Sequence, residues 1–171
     1  RSYILKGVRS TTGRAKVNLL QPMSYLELVV YDNPKSSLNY IKEIAAHGQA
    51  AEESDAVACA QRFFMTELLY KSLREAEPMP DLFDYVAASD LHSVHLPIPF
   101  ALTTARHLGI EPLDNYSIRE PYFDLSDGRF VSRGESAIDR ASSQLLHYYL
   151  QALQGEPYPL ATLAQRTALL N

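Results

Sequence analysis

Apolar side chains tend to alternate in short segments of the first 45 residues, and recur at every third or fourth position beyond residue 48. Residues 2–8 alternate and carry Tyr3, Ile4 and Val8, which fit a pleated surface and predict a strand. Residues 9–16 are polar, with Gly13 close to Ser10, Thr11 and Thr12, the composition of a loop. Residues 23–31 predict a second strand, with Leu26, Leu28 and Val30 on one face and Tyr25, Val29 and Tyr31 on the other. A turn-rich run from Asp32 to Ser37 leads to a third strand over residues 38–44. Helical spacing then takes over. Ser54 is placed to cap a helix carrying Val57, Ala60, Phe64 and Leu68, with Phe63 and Leu69 beside them, ending before Pro78. Asp81 caps a shorter helix with Leu82, Phe83 and Val86, and Pro99 suits the first turn of another that stops at Gly109. Residues 122–131 read as a hairpin about Ser126-Asp127-Gly128. A long helix over 135–155 turns Ile138, Ala141, Leu145, Tyr149 and Leu150 inward, and a last one begins near Leu160.

The pattern predicts an α+β chain: a β domain over residues 1–47, then a mainly helical domain over 48–171 with a small hairpin. With 171 residues, 46% of them hydrophobic, it can bury a sizeable core. No internal repeat, low-complexity tract or heptad array is present. No segment reaches the roughly 18 apolar residues that a membrane span needs. Cys59, the sole cysteine, rules out an intramolecular disulfide, fits a reducing compartment and reads as a small core residue. These features lead us to expect a cytoplasmic protein. Opening at Arg1 in strand-like sequence and closing at Asn171 within helical sequence, the chain is expected to be flanked by further segments.

Charge changes the picture. The net charge is −4, yet residues 1–42 carry seven basic side chains against two acidic ones, a balance of +5 that leaves −9 for the rest. Lys6, Arg9, Arg14 and Lys16 fall within eleven residues that contain no acid. A run of this kind either follows a phosphate backbone or is simply a solvated basic loop. Tyr3 and Tyr25 flank it, placed either to stack on bases or to pack across strands. A single strand fits better than a duplex, because no helix carries a basic recognition face.

Catalytic chemistry has little support. The chain holds no nucleophile elbow, phosphate-binding loop or dinucleotide fingerprint. His92 and His95 have a spacing that two metal ligands share, but they stand beside Pro97 and Pro99 with no third ligand nearby, so an ordinary polar loop is the simpler reading. His107 and His147 fit solvated or core-edge helix positions. Glu52, Glu53 and Asp55 suit the acidic start of a helix, and Asp124 and Asp127 suit a turn.

Lys6-Gly-Val-Arg-Ser10 and Leu20-Gln-Pro-Met-Ser-Tyr-Leu-Glu-Leu28 resemble the N-terminal domain of the RecO family of recombination mediators. Ile41-Lys-Glu-Ile44, Leu68-Leu-Tyr-Lys-Ser-Leu-Arg-Glu75, Arg106-His-Leu-Gly109 and the run from Asn115 to Phe130 resemble the Bacteroidetes-type form, in family order along most of the chain. The resemblance implies an OB fold followed by a helical domain, with no enzymatic activity and no cofactor. An OB fold has about five strands, so the first of them are expected before Arg1. It further implies a DNA-repair protein that binds and anneals single-stranded DNA, works with RecR, and helps load RecA onto strands coated by single-stranded-DNA-binding protein. That coating protein's acidic, hydrophobic C-terminal tail docks on the helical domain in the family.

On this resemblance Lys6, Arg9, Arg14 and Lys16 fall in the region of DNA contact. Arg62, Lys71 or Arg74 would supply a cation for the tail, each being equally a solvated helix position. Some family members bind zinc through cysteines in the segment equivalent to 112–135. Asn115, Ser117 and Ser132 stand there instead, so no metal is expected and Tyr122, Phe123 and Phe130 are expected to supply the stability by packing. The connection from Asp90 to Leu96 is shorter than the family pattern. The alternative from another class is a protein–protein scaffold whose basic strand–loop region binds an acidic protein tail rather than DNA.

Overall fold

The computed structural model describes residues 3–10, 16–31, 33, 39–47, 56–73, 78–91 and 93–170. The predicted positions Arg14, Ser54, Arg74 and His92, and the acidic run Glu52, Glu53 and Asp55, lie outside the described residues. Contacts gather into two compact units, Arg1–Val94 and His95–Asn171.

In the first unit, β1 (Tyr3–Leu5), β2 (Leu26–Tyr31) and β3 (Asn39–Ala46) form a sheet in the order β1-β3-β2. Strand β1 runs parallel to β3, and β2 antiparallel to it. All three strands were expected from sequence, although β1 is shorter than residues 2–8 and β3 runs two residues past Ile44. The register holds a feature that alternation alone does not show. Val29 lies opposite Glu43 but Val30 lies opposite Ile41, which leaves Lys42 as an extra residue on β3. Ile41 and Ile44, three residues apart, would face opposite sides of a regular strand. The bulge returns both to one side, where they meet Val30 and Leu28 across the ladder. That side is partly covered and the other is open. Among the described residues no strand joins β1 to β2, so the sheet has two free edges and no closed barrel.

This unit also holds helices α1 (Ala56–Ser72) and α2 (Pro80–Ala88), which bury Ala58, Met65 and Leu82, and residues 16–18 are helical as well. Val57, Ala60 and Phe63 are exposed, whereas Phe64 and Leu68 are half-buried. Cys59 is half-buried rather than fully enclosed. Asp81 does not cap α2. Met79 occupies the cap position, Pro80 begins the helix where a missing N–H costs nothing, and Asp81 sits in the first turn near the positive end of the dipole.

The second unit comprises α3 (Pro97–His107), the hairpin β4 (Tyr122–Asp124) and β5 (Arg129–Val131), α4 (Arg140–Ala152) and α5 (Leu163–Leu170). Its core joins Ile98, Leu102, Phe123, Phe130, Leu145, Leu146, Tyr149, Leu150 and Ala161. Helix α3 begins at Pro97 and holds Pro99 in its first turn, as expected, with both prolines buried. Gly109 ends it with φ +71°, a conformation that costs glycine little. Phe123 and Phe130 face each other across the hairpin with ring centroids 5.1 Å apart, edge to face. The Asp124 carboxylate accepts from the Ser126 and Asp127 N–H groups at 2.9 and 3.1 Å, which closes the turn.

Helix α4 starts at Arg140, later than expected, because residues 136–138 pair with the hairpin instead. Leu125 N–H donates to the Ser136 carbonyl at 3.1 Å, and Ile138 N–H to that of Phe123 at 2.9 Å. Asp139 then caps the helix, accepting from Ala141 and Ser142 N–H at 2.8 and 3.1 Å. Its hydrogen bonds with Ser142 hold the carboxyl below its ordinary value. Leu145, Tyr149 and Leu150 are buried as expected, while Ala141 is exposed. Helix α5 is opened by a reciprocal capping pair, with Thr162 N–H donating to Gln165 Oε1 at 2.9 Å and Gln165 N–H to Thr162 Oγ1 at 3.3 Å. Among the described residues no helix is long and apolar enough to cross a membrane.

The Tyr149 hydroxyl is buried and finds no hydrogen-bond partner among the described residues. Burial pushes this phenol above its ordinary 10.0. The neutral form is therefore favoured in the fold, and its contribution persists below pH 10 and is lost as pH rises through the folded value. Tyr149→Phe should leave stability at neutral pH unchanged or up to about 1 kcal/mol higher. It should also blunt the alkaline loss in urea unfolding series; an unaltered alkaline slope would contradict the assignment.

Candidate nucleic-acid interface

The basic run leaves β1 through a turn at Gly7, whose φ of +77° suits glycine. Ser10 N–H and Oγ–H both donate to the Gly7 carbonyl, at 3.2 and 2.9 Å, so the chain reverses immediately after β1. Lys6 and Arg9 are exposed there, and Lys16 is half-buried. Among the described residues no acid forms an ion pair with Lys6, Arg9 or Lys16, whereas Lys42 meets Glu43 at 3.4 Å. The Lys6 ammonium sits 3.8 Å from the centroid of the Tyr40 ring.

The two tyrosines singled out from sequence are differently placed. Tyr3 is half-buried in β1, in register with the buried Asn39. Tyr25 stands edge-on to His47 at 4.6 Å and tilted against Phe83 at 5.5 Å, so its ring packs within the unit although part remains exposed. The open face of the sheet instead presents Tyr31 and Tyr40, direct partners across β2 and β3, at 61% and 37% exposure. Sequence reasoning passed over this pair. Tyr31 was legible as lying opposite the apolar face, but its partnership with Tyr40 depends on the register beyond the bulge.

Of the cations weighed for a protein partner, Lys71 meets Glu67 at 2.7 Å one helical turn away. That hydrogen bond raises the lysine and lowers the glutamate from their ordinary values. Arg62 is half-buried, with Nη2 3.7 Å from Cys59 Sγ. It lines an open cleft of about 370 Å³ with Tyr25, Met23, His47, Asp90 and Leu91. The structure thus brings Arg62 and Tyr25 to one cleft, and Lys6 to Tyr40.

No three of His, Cys, Asp and Glu gather as metal ligands among the described residues. Residues 112–135 are tied by other means. Asn115 clamps the backbone of Phe130 in both directions, donating Nδ2–H to its carbonyl and accepting from its N–H, each at 2.8 Å. His147 pairs with Asp114 at 2.7 Å and stacks on Tyr116 at 4.5 Å, and Tyr116 stands edge-on to Phe130 at 5.3 Å. Phe123 and Phe130 are core residues, while Tyr122 is half-buried.

No protein-family model matches the chain. Individual relatives do. The DNA repair protein RecO of Christiangramia forsetii is 29% identical over 87% of the chain. The proteins of the same name from Bacteroides fragilis and Porphyromonas gingivalis are 30% and 31% identical over 77% and 76%. The chain belongs to the RecO family. It spans 57% to 66% of the length of these RecO relatives. Each of these relatives carries the name DNA repair protein.

In this RecO chain the Asn115 clamp occupies the segment where a metal-bound arrangement was weighed from sequence. Asn115→Ala would leave the Phe130 N–H and carbonyl without their partners and should cost about 1–3 kcal/mol in urea unfolding. The purified chain should retain no zinc after dialysis against a chelator, as read by elemental analysis. Stoichiometric zinc would contradict this account of the segment.

Proposed function

We propose that the chain is part of a recombination mediator that binds and anneals single-stranded DNA during repair. Its relationship to the RecO family supports a repair role. The observation that carries the DNA-binding part is the acid-free cationic run beside an open sheet face, with Lys6 and Arg9 exposed and unpaired with any described acid. In this reading residues 1–47 are the later strands of an OB fold and 48–171 a helical domain. Lys6, Arg9, Arg14 and Lys16 neutralise phosphates, so that two complementary strands approach with less repulsion. No bond is made or broken, and no cofactor is needed.

The partners are single-stranded DNA, RecR, and the acidic C-terminal tail of single-stranded-DNA-binding protein, acting in the cytoplasm to help RecA load. Among the cations considered for the tail, Arg62 has the best support, because a cleft with apolar walls lies beside it while Lys71 is tied to Glu67.

Binding of a labelled oligo-dT by the intact chain should weaken linearly on a log–log salt plot. Three to five phosphate contacts give a slope of roughly −2 to −3.5, at about −0.7 per contact for single strands. Arg9→Ala should weaken binding alike across sequences and remove about 0.7 from that slope. A changed sequence preference would contradict the phosphate role. Absence of binding at low salt, with an acidic peptide bound at the same run, would transfer the function to protein docking.

A further inference from the structure

Tyr31 and Tyr40 lie side by side on the open face of the sheet, with Ile4 in register beside Tyr40, and both rings stay partly exposed. The opposite face already supplies the partly covered side chains, among them Leu26, Val30, Ile41 and Ile44. Other tyrosines fare differently. Tyr25 is engaged by His47 and Phe83, and Tyr3 lies half-buried alongside Asn39. Tyr70 is 86% exposed, but on helix α1 rather than on a strand. Only the Tyr31–Tyr40 pair, among the described tyrosines, combines exposed rings on adjacent strands with a neighbouring cation, the Lys6 ammonium over Tyr40.

We propose that Tyr31 and Tyr40, with Lys6 beside them, form a stacking platform for unpaired bases. The inference rests on the single-strand reading above and adds to it that the strand is held by its bases as well as its phosphates. The neighbouring charge selects this occupant over an apolar protein face. The Lys6 ammonium lies over Tyr40, whereas Lys42 is paired with Glu43, and a nucleotide offers a π face and an anion together. An ammonium resting on an exposed ring is weakly held and sits on a flexible stem. An arriving base takes its place on Tyr40, and the ammonium turns to the adjoining phosphate. Since every base has a π face, the platform accepts any sequence.

The test compares two labelled strands of equal length and phosphate number, oligo-dA and its abasic tetrahydrofuran counterpart, by anisotropy with the intact chain. The base-bearing strand should bind more tightly, by about fivefold to a hundredfold per stacked ring. Tyr31→Ala and Tyr40→Ala should bring the ratio of affinities toward one while leaving abasic binding and the salt slope unchanged. Tyr31→Phe and Tyr40→Phe, which keep the rings, should preserve the ratio. Unchanged abasic binding also reports that each variant is folded. Equal binding of both strands by the unaltered chain, or a ratio that survives both alanine substitutions, overturns the platform and leaves phosphate binding intact. No binding of either strand overturns the single-strand reading itself.

Discussion

Strand β3 is one residue longer than β2 over their shared ladder, and the sheet is two-faced because Lys42 absorbs the difference. Without that bulge Ile41 and Ile44 would point to opposite sides, and one of them would replace a polar residue on the open face. With it, Leu26, Leu28 and Val30 line up against Ala46, Ile44 and Ile41, and Tyr31 against Tyr40. The same irregularity that gathers the apolar side chains thus aligns the exposed aromatic pair. Gly7 does complementary work at the end of β1, turning the chain so that cations follow the strand closely.

The second unit is organised by short polar stitches around an aromatic core. Asn115 reproduces a backbone pairing with Phe130, Asp139 satisfies the first N–H groups of α4, and the buried Ser143 accepts from Phe123 N–H while donating to the Asp139 carbonyl, each at 2.8 Å. These bonds bring hairpin and helix onto the same few atoms. Gly134 belongs to this arrangement, because a methyl group there would overlap the Asp124 carboxylate that closes the hairpin turn. Small changes near either residue are therefore expected to travel through both elements.

Elements with strong local signals were legible in the chain. The three strands of the sheet, the hairpin and the inward face of Leu145, Tyr149 and Leu150 all follow from periodicity and turn residues. Helix starts were read less well, since a cap competes with other uses of the same backbone. Residues 136–138 are drawn into hairpin pairing, and Pro80 rather than Asp81 fixes the start of α2. The basic run was visible as composition, whereas its aromatic companions were not. Tyr40 looks unremarkable until β2 and β3 are aligned across the bulge, and Tyr25 looks available until His47 and Phe83 are brought to it from distant sequence. Register and tertiary contact, both non-local, decide which tyrosine rings meet other aromatic side chains and which meet a cation.

The proposed strand-binding surface is the open face of β1-β3-β2 with its adjoining basic turn. Amide chemical-shift mapping of the ¹⁵N-labelled chain against unlabelled oligo-dT tests it most directly. Shifts concentrated at Lys6, Arg9, Tyr31 and Tyr40 are the predicted result. Shifts confined to residues 95–171, or none at saturating oligonucleotide, would contradict the claim that this sheet face meets the strand.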